Sequence, residues 1–184
     1  GDENSSWWRV YESNEFIINA FVFANKYVPA NVELYYNDYN DAYAWKSGAI
    51  LQLVKDVQAA KGTRIDGVGM QGHYKTDETP TIEEFLEAAR LYAQTGLKIQ
   101  LTELDFEGGK DYDGTNASVK KVYEKNAARY GELYEAVKTL KKEGVNFTGM
   151  TVWGVIDSNS WLWNASFVGG GSNGKNYQAP LLFD

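Results

Sequence analysis

Segments with helical spacing alternate with strand-like segments along the whole chain, and this alternation most constrains the fold. The helical spacing of apolar residues covers 14–28, 44–62, 79–96 and 117–144. Strand-like runs occupy 31–40, 64–74, 97–107 and 146–157. This order predicts an α/β protein with a parallel sheet and crossover helices, either a doubly wound sheet or a (β/α)8 barrel. Because no linker divides residues 1–184 and four strands are too few for a barrel, we expect about half of a larger domain.

Polar and aromatic residues gather where each strand-like segment ends. Parallel α/β enzymes place their sites at the carboxyl ends of the strands, so these residues are expected to meet at one edge of the sheet. The residues concerned are 37–40, 71–73, 103–105 and 153–161. Tyr35 and Tyr36 are consecutive, which predicts that one faces the barrel interior and the other faces the helices.

The segment IQLTELDFE, residues 99–107, has a carboxylate at every second position from 103 onwards: Glu103, Asp105 and Glu107. Side chains two residues apart on a strand lie on the same side, so these charges would repel one another. A positive, protonated or catalytic group is therefore expected beside them. His73 is the single histidine, and we expect it to titrate near neutral pH, with activity falling as it becomes protonated.

The composition excludes several classes of partner. A net charge of −7 argues against nucleic acid and against an anionic membrane surface, and no apolar run reaches the roughly 18 residues of a membrane span. With one histidine and no cysteine, a zinc site is not expected. Asp111 and Asp113 lack the distal glutamate of a calcium loop. Aromatic residues make up 15% of the chain, and exposed indoles and phenols are the side chains that stack on sugar rings.

Four motifs in this order resemble glycoside hydrolase family 10, whose members are mostly retaining endo-β-1,4-xylanases built on a (β/α)8 barrel. The motifs are YYNDYN at 35–40, IDGVGMQGH at 65–73, LTELD at 101–105 and TVWGVIDSNSWL at 151–162. The resemblance implies that the chain covers roughly strands 5–8 and helices 4–7 of an incomplete barrel. Residues 1–184 would then be the C-terminal half of the catalytic domain, completed by an N-terminal half on the same or a separate polypeptide.

The resemblance implies a catalytic role for three residues. Glu103 would be the nucleophile of a double displacement, with His73 and Asp105 supporting its charge and orientation. The family's acid/base glutamate follows an asparagine at the end of strand four, and that pair is expected just before Gly1. No cofactor and no metal are implied.

The same resemblance implies six contacts to xylan or xylo-oligosaccharides. Gln71 would bind near the cleaved sugar, while Trp153 and Trp161 would pack over the sugar on the non-reducing side. Asn37, Tyr39 and Asn40 would line the leaving-group side. Trp163 is a weaker candidate for sugar contact, and Trp7 and Trp8 are expected to serve structural packing.

Two other functions stay open from the sequence. The chain could be a non-catalytic carbohydrate-binding half-barrel, although a nucleophile with supporting residues is not needed for binding alone. It could also act on β-1,4-glucan or mixed-linkage glucan, because discrimination depends on the room left for a hydroxymethyl group. The size of xylan predicts an extracellular, periplasmic or cell-surface location.

Overall fold

The computed structural model describes residues 5–77, 79–108, 115–163 and 178–183. The acidic loop with Asp111 and Asp113, and the Gly-rich stretch 168–176, lie outside the described residues. Among the described residues, no helix combines the length and the apolar character that crossing a membrane requires. The helices are α1 (Ser6–Tyr11), α2 (Glu15–Tyr27), α3 (Ala44–Ala59), α4 (Ile82–Ala93) and α5 (Asn116–Lys142). The strands are β1 (Tyr35–Asp38), β2 (Gly67–Met70), β3 (His73–Lys75), β4 (Lys98–Glu107) and β5 (Phe147–Val152).

All the strand pairs are parallel, as the alternating pattern predicts. β1 pairs with β2, and β2 and β3 both pair with β4, which carries β5 on its other edge. The segment 64–74, predicted as one strand, is interrupted at Gln71 and Gly72. Gly72 has a φ of +80°, which a residue with a side chain rarely adopts, and this turn separates β2 from β3.

The helix ends follow from local sequence. Thr81 caps α4, its hydroxyl accepting from the Glu84 N–H while the Glu84 carboxylate accepts from the Thr81 N–H. α2 ends at Tyr27, because Val28 precedes a proline and is extended. The short helix α1 was not predicted. It buries none of its residues and ends at Glu12, a non-glycine residue with a φ of +50°.

The apolar core lies between one face of the sheet and helices α3, α4 and α5. The strands contribute alternate residues to it, so Ile99 and Leu101 of β4 are fully buried. The helices contribute Val54, Val57, Phe85, Ala89, Tyr92, Leu133 and Leu140. Tyr36 packs against this core and donates to Asp38, whereas Tyr35 lies on the opposite face. The predicted division of the two tyrosines between the faces is confirmed.

The opposite face of the sheet is polar. The Gln100 amide donates to the Tyr35 and Thr148 hydroxyls at 3.3 and 3.0 Å, and Thr102 donates to Asn37 at 2.6 Å. In a closed barrel this face is the interior. A row of hydrogen-bonded polar groups therefore leads along β4 to Glu103.

Buried polar groups of α5 hold two distant chain segments. The Asn126 amide donates to the Ala179 carbonyl and accepts from the Thr76 hydroxyl. The Arg129 guanidinium donates to the Pro80 carbonyl, and the Tyr130 hydroxyl donates to the Pro180 carbonyl at 2.7 Å. The connection between β3 and α4 and the segment 178–183 are thus fixed to the same helix.

Candidate active site

The predicted site residues meet at the carboxyl ends of the strands. A cleft of about 430 Å³ opens there. Glu103 contacts His73 in the cleft wall, and Asn37 contacts Glu103. Seven of the nine predicted residues line the cleft itself: Tyr39, Asn40, Gln71, His73, Asp105, Trp153 and Trp161. Residues that lie up to 124 positions apart in the sequence, such as Asn37 and Trp161, are thereby brought to one edge of the sheet.

Both carboxylate oxygens of Glu103 are engaged. Oε1 accepts from the Asn37 amide at 2.7 Å, and Oε2 lies 3.2 Å from Nε2 of His73. The side chain is 16% exposed, so solvent still reaches it. Donors to an ionised carboxylate stabilise the charged form and hold it in one orientation. Glu103 is thus held in one orientation and remains accessible, as a carboxylate nucleophile must be.

The glycine at position 69 makes the Asn37 contact possible. Gly69 lies beside Asn37 in the sheet register, and a Cβ at this position would lie 2.5 Å from Asn37 Oδ1. The Thr102 hydroxyl donates to the same oxygen at 2.6 Å, which turns the amide nitrogen towards Glu103. The structure thus places the Asn37 amide directly on Glu103, and its predicted place on the leaving-group side stays a prediction.

His73 bridges Glu103 and Asp105. Nδ1 lies 2.8 Å from Asp105 Oδ1, and Asp105 is fully buried. Burial lowers the pKa of His73, but the hydrogen bonds and charges of Asp105 and Glu103 outweigh it, so the pKa is raised above 6.5. Only the protonated ring donates from both nitrogens. This geometry, with a carboxylate beside each ring nitrogen, favours the protonated ring.

The two predicted indoles lie against the imidazole. The Trp161 ring meets the His73 ring edge-on with centroids 5.2 Å apart, and its Nε1 donates to Asp105 Oδ2 at 2.7 Å. Trp153 lies 6.5 Å from the same ring. Both indoles are 47% exposed. Half-exposed indoles of this kind are suited to stacking on an apolar ring face. Trp163 is partly buried and does not line the cleft.

Tyr39 and Asn40 form the wall at the β1 side of the cleft. Lys46, in the first turn of α3, lies 3.9 Å from the centre of the Tyr39 ring and donates to the Tyr39 carbonyl at 2.5 Å. Its charge is paired with Asp38 at 2.6 Å. The Tyr39 residue is 52% exposed, and the ammonium group of Lys46 packs against its ring. Gln71 lines the cleft where β2 ends.

Asp41 is a site residue that the sequence analysis missed. It is 1% exposed, accepts from the Tyr74 hydroxyl at 2.5 Å and accepts from the Gly72 N–H at 3.1 Å. These contacts fix the residues on both sides of His73. Burial raises the pKa of Asp41 to about 6, although the two hydrogen bonds act in the opposite direction. The only signal in the sequence is its position directly after Asn40.

The other carboxylates near Glu103 are Asp105 and Glu107 of the same strand. Among the described residues, no group of three or more His, Cys, Asp and Glu side chains has the arrangement to hold a metal ion. Glu107, the third carboxylate of the strand, lines the outer part of the cleft. The predicted repulsion is relieved because His73 lies between Glu103 and Asp105.

Comparisons with known proteins agree with this geometry. The sequence pattern of Glycosyl hydrolase family 10 matches residues 1–184. Endo-1,4-beta-xylanase B of Butyrivibrio fibrisolvens is 39% identical over 163 residues, which are 88% of this chain and 24% of that protein. Xylanase B from Clostridium stercorarium F9 is a similar solved structure, with a TM-score of 0.80 and 31% identity over 100% of this chain and 51% of that chain.

A third similar protein was solved with a ligand. It is endo-1,4-beta-D-xylanase 10B of Clostridium thermocellum, complexed with xylohexaose, with a TM-score of 0.74 and 30% identity over 98% of this chain and 34% of that chain. This chain thus spans about half or less of these relatives. The similar structures are (β/α)8 barrels, so the sheet described above is part of such a barrel, as predicted. The family's sequence pattern matches residues 1–184, and the similar xylanase structures have the same fold. The chain therefore belongs to glycosyl hydrolase family 10.

Proposed function

We propose that the complete protein is an endo-1,4-β-xylanase that cleaves xylan with retention of configuration. The proposal rests on one observation above all, the Glu103 carboxylate fixed by Asn37 and His73 beside two half-exposed indoles. In the first step Glu103 attacks the anomeric carbon and forms a glycosyl ester while the leaving oxygen takes a proton. In the second step water attacks the ester and releases Glu103.

His73 and Asp105 act as positioning groups in this proposal. A protonated His73 donates to Glu103 and keeps it oriented, while Asp105 holds the ring from its other nitrogen. When Glu103 becomes an ester, its charge is lost and the donor from His73 stays in place. When water releases the sugar, the same donor stabilises the returning carboxylate.

The proton for the leaving oxygen needs a second carboxyl group, which retaining enzymes place about 5–5.5 Å from the nucleophile. Asp105 is occupied by His73 and Trp161, so it is not free for this role. We assign the acid/base to the rest of the barrel, on the same or a separate polypeptide. Among the described residues, β1 and β5 each have one unpaired edge, to which the remaining strands would add. Because xylan is too large to enter a cell intact, the proposal includes an extracellular, periplasmic or cell-surface location.

The test uses the complete protein and an aryl β-xylobioside carrying fluorine at carbon 2 of the reacting sugar. Fluorine slows the second step, so an ester should accumulate, and mass spectrometry should find it on Glu103. Glu103→Ala should lower xylan hydrolysis roughly a thousandfold or more, and azide should rescue it with an α-xylosyl azide as product. Glu124→Gln is the control, because it changes an exposed carboxylate of α5 that does not line the cleft. Labelling at another residue, or full activity of Glu103→Ala, would disprove the assignment.

A further inference from the structure

An exposed aromatic pair lies beyond the wall of the cleft. Trp45 is in the first turn of α3, at the same end of the sheet as Glu103, and is 72% exposed. Its ring stacks on Tyr43, with centroids 6.3 Å apart and an angle of 28° between the planes. The Tyr43 contact leaves most of the indole in water, although indole faces favour apolar contacts. The pair is not part of the resemblance motifs.

A second cavity connects this pair to the cleft. The cavity has a volume of about 560 Å³ and adjoins the cleft, because Tyr39 and Asn40 line both. Trp45 and Trp8 are among its other walls. Tyr43 lines the cleft itself, so the stacked pair reaches from one cavity to the other. A chain that leaves the cleft past Tyr39 therefore meets the indole of Trp45.

The charges around the second cavity favour a neutral ligand. Its one lysine, Lys46, is paired with Asp38 at 2.6 Å and lies over the Tyr39 ring. The other polar groups of its walls are neutral and include the hydroxyls of Ser5 and Tyr36 and the amides of Asn14 and Asn40. Aromatic faces with neutral hydrogen-bonding groups fit a ring with apolar C–H faces and hydroxyl edges. They do not fit an anion or a charged peptide.

We infer that Trp45, supported by Tyr43, forms an additional sugar-binding subsite on the leaving-group side, beyond the sugar at Tyr39. The occupant is the continuation of the same xylan chain. This inference rests on the proposed function for the direction of the chain. Trp45 contacts no catalytic group, so its effect should appear only with substrates long enough to reach it.

The experiment compares Trp45→Ala with the wild-type complete protein on two substrates. Xylohexaose extends beyond Tyr39, whereas an aryl β-xylobioside has only an aryl leaving group there. Trp45→Ala should lower kcat/KM on xylohexaose about three- to tenfold, the range of one aromatic stacking contact, and leave the aryl substrate unchanged. Trp45→Phe should recover part of the loss. Trp7→Ala is the matched control, because Trp7 is 64% exposed and lines neither cavity.

The outcomes separate this inference from the proposed function. An unchanged kcat/KM on xylohexaose, or an equal loss on both substrates, would overturn the subsite. If the wild-type protein hydrolyses neither substrate, the proposed function fails, and calorimetric titration with xylohexaose decides the inference. Weaker binding of xylohexaose by Trp45→Ala but not by Trp7→Ala would support the subsite. Equal binding by both variants would overturn it.

Discussion

The Asn37 amide nitrogen lies 2.7 Å from Oε1 of Glu103, although the two residues are 66 positions apart in the sequence. This hydrogen bond to a charged group is partly exposed, and losing it removes a donor that orients the anion. Asn37→Ala should therefore lower kcat about 10- to 100-fold with a smaller change in KM. Thr102→Val removes only the hydrogen bond that orients the amide and should cost less. Equal and small effects of both variants would contradict this role for Asn37.

The single histidine of these 184 residues allows a direct test of the bridge. His73 should titrate above 6.5 in an NMR experiment on its ring, because Asp105 and Glu103 favour the protonated form. The proton is bound more tightly in the folded state. The stability that His73 contributes is thus fully present below pH 6.5 and is lost as pH rises through the folded-state pKa. Asp105→Asn should lower this pKa, because it removes the negative charge that raises the pKa of His73, while burial continues to lower it. A pKa unchanged by Asp105→Asn would be inconsistent with the bridge.

Asp41 should make stability depend on pH in the acidic range. Its pKa is about 6 in the folded protein against 3.8 ordinarily, so the folded state binds this proton more tightly than the unfolded state. The contribution of Asp41 to stability is greatest below pH 4 and falls by about 3 kcal/mol as pH rises through 6. Urea unfolding of Asp41→Asn between pH 4 and 7 should lack this decrease.

The same variant should also lower activity, because the contacts to Gly72 and Tyr74 fix the residues around His73. We expect kcat to fall about tenfold, with a shift in the pH profile that follows His73. Val137→Ala, a core change in α5, serves as the control for loss of stability alone. Parallel stability curves for the wild type and Asp41→Asn would argue against the buried ionisation.

Glu12 offers a gain of stability at the end of α1. Its φ of +50° is a conformation that glycine adopts without steric cost, and its side chain makes no described hydrogen bond. Glu12→Gly should raise the free energy of unfolding of the complete protein by about 0.5–1 kcal/mol. Glu15→Gly, in the first turn of α2, should instead lower it by a similar amount. Chemical denaturation of both variants tests this, and destabilisation by Glu12→Gly would be the contrary result.

The 184 residues alone should be poorly stable. The strands β1, β3 and β5 each pair with only one other strand among the described residues, and Phe23 and Tyr27 of α2 are exposed. Such edges and apolar surfaces promote association between chains. We expect the isolated segment to aggregate in size-exclusion chromatography and to become soluble with the remaining strands of the barrel. A monodisperse segment that unfolds cooperatively would contradict this.

The sequence predicted the order of the elements because long periodic segments depend mainly on local pattern. Helix α1 escaped prediction, since its six residues bury nothing and carry no core periodicity. The break at Gln71 and Gly72 was also missed. It depends on the φ of Gly72 and on the N–H that Gly72 donates to Asp41, a residue 31 positions away.

The contacts within the site also depend on residues that are far apart in the sequence. Motif positions indicated which residues meet, but the register between parallel strands decides what each of them contacts. Asn37 lies beside Gly69, and this register places its amide on Glu103, a contact that the motif positions did not indicate. The burial of Asp41 follows from packing against Tyr74 and Tyr92, which no local pattern around position 41 contains.

Helix α5 is hydrogen-bonded both to the connection between β3 and α4 and to the segment 178–183. Asn126, Arg129 and Tyr130 hold the backbone at Pro80 and at Ala179–Pro180 from adjacent turns of one helix. These two stretches of backbone are therefore attached to the same helix. A displacement of α5 would carry both stretches of the backbone with it, and with them the loops at this side of the site.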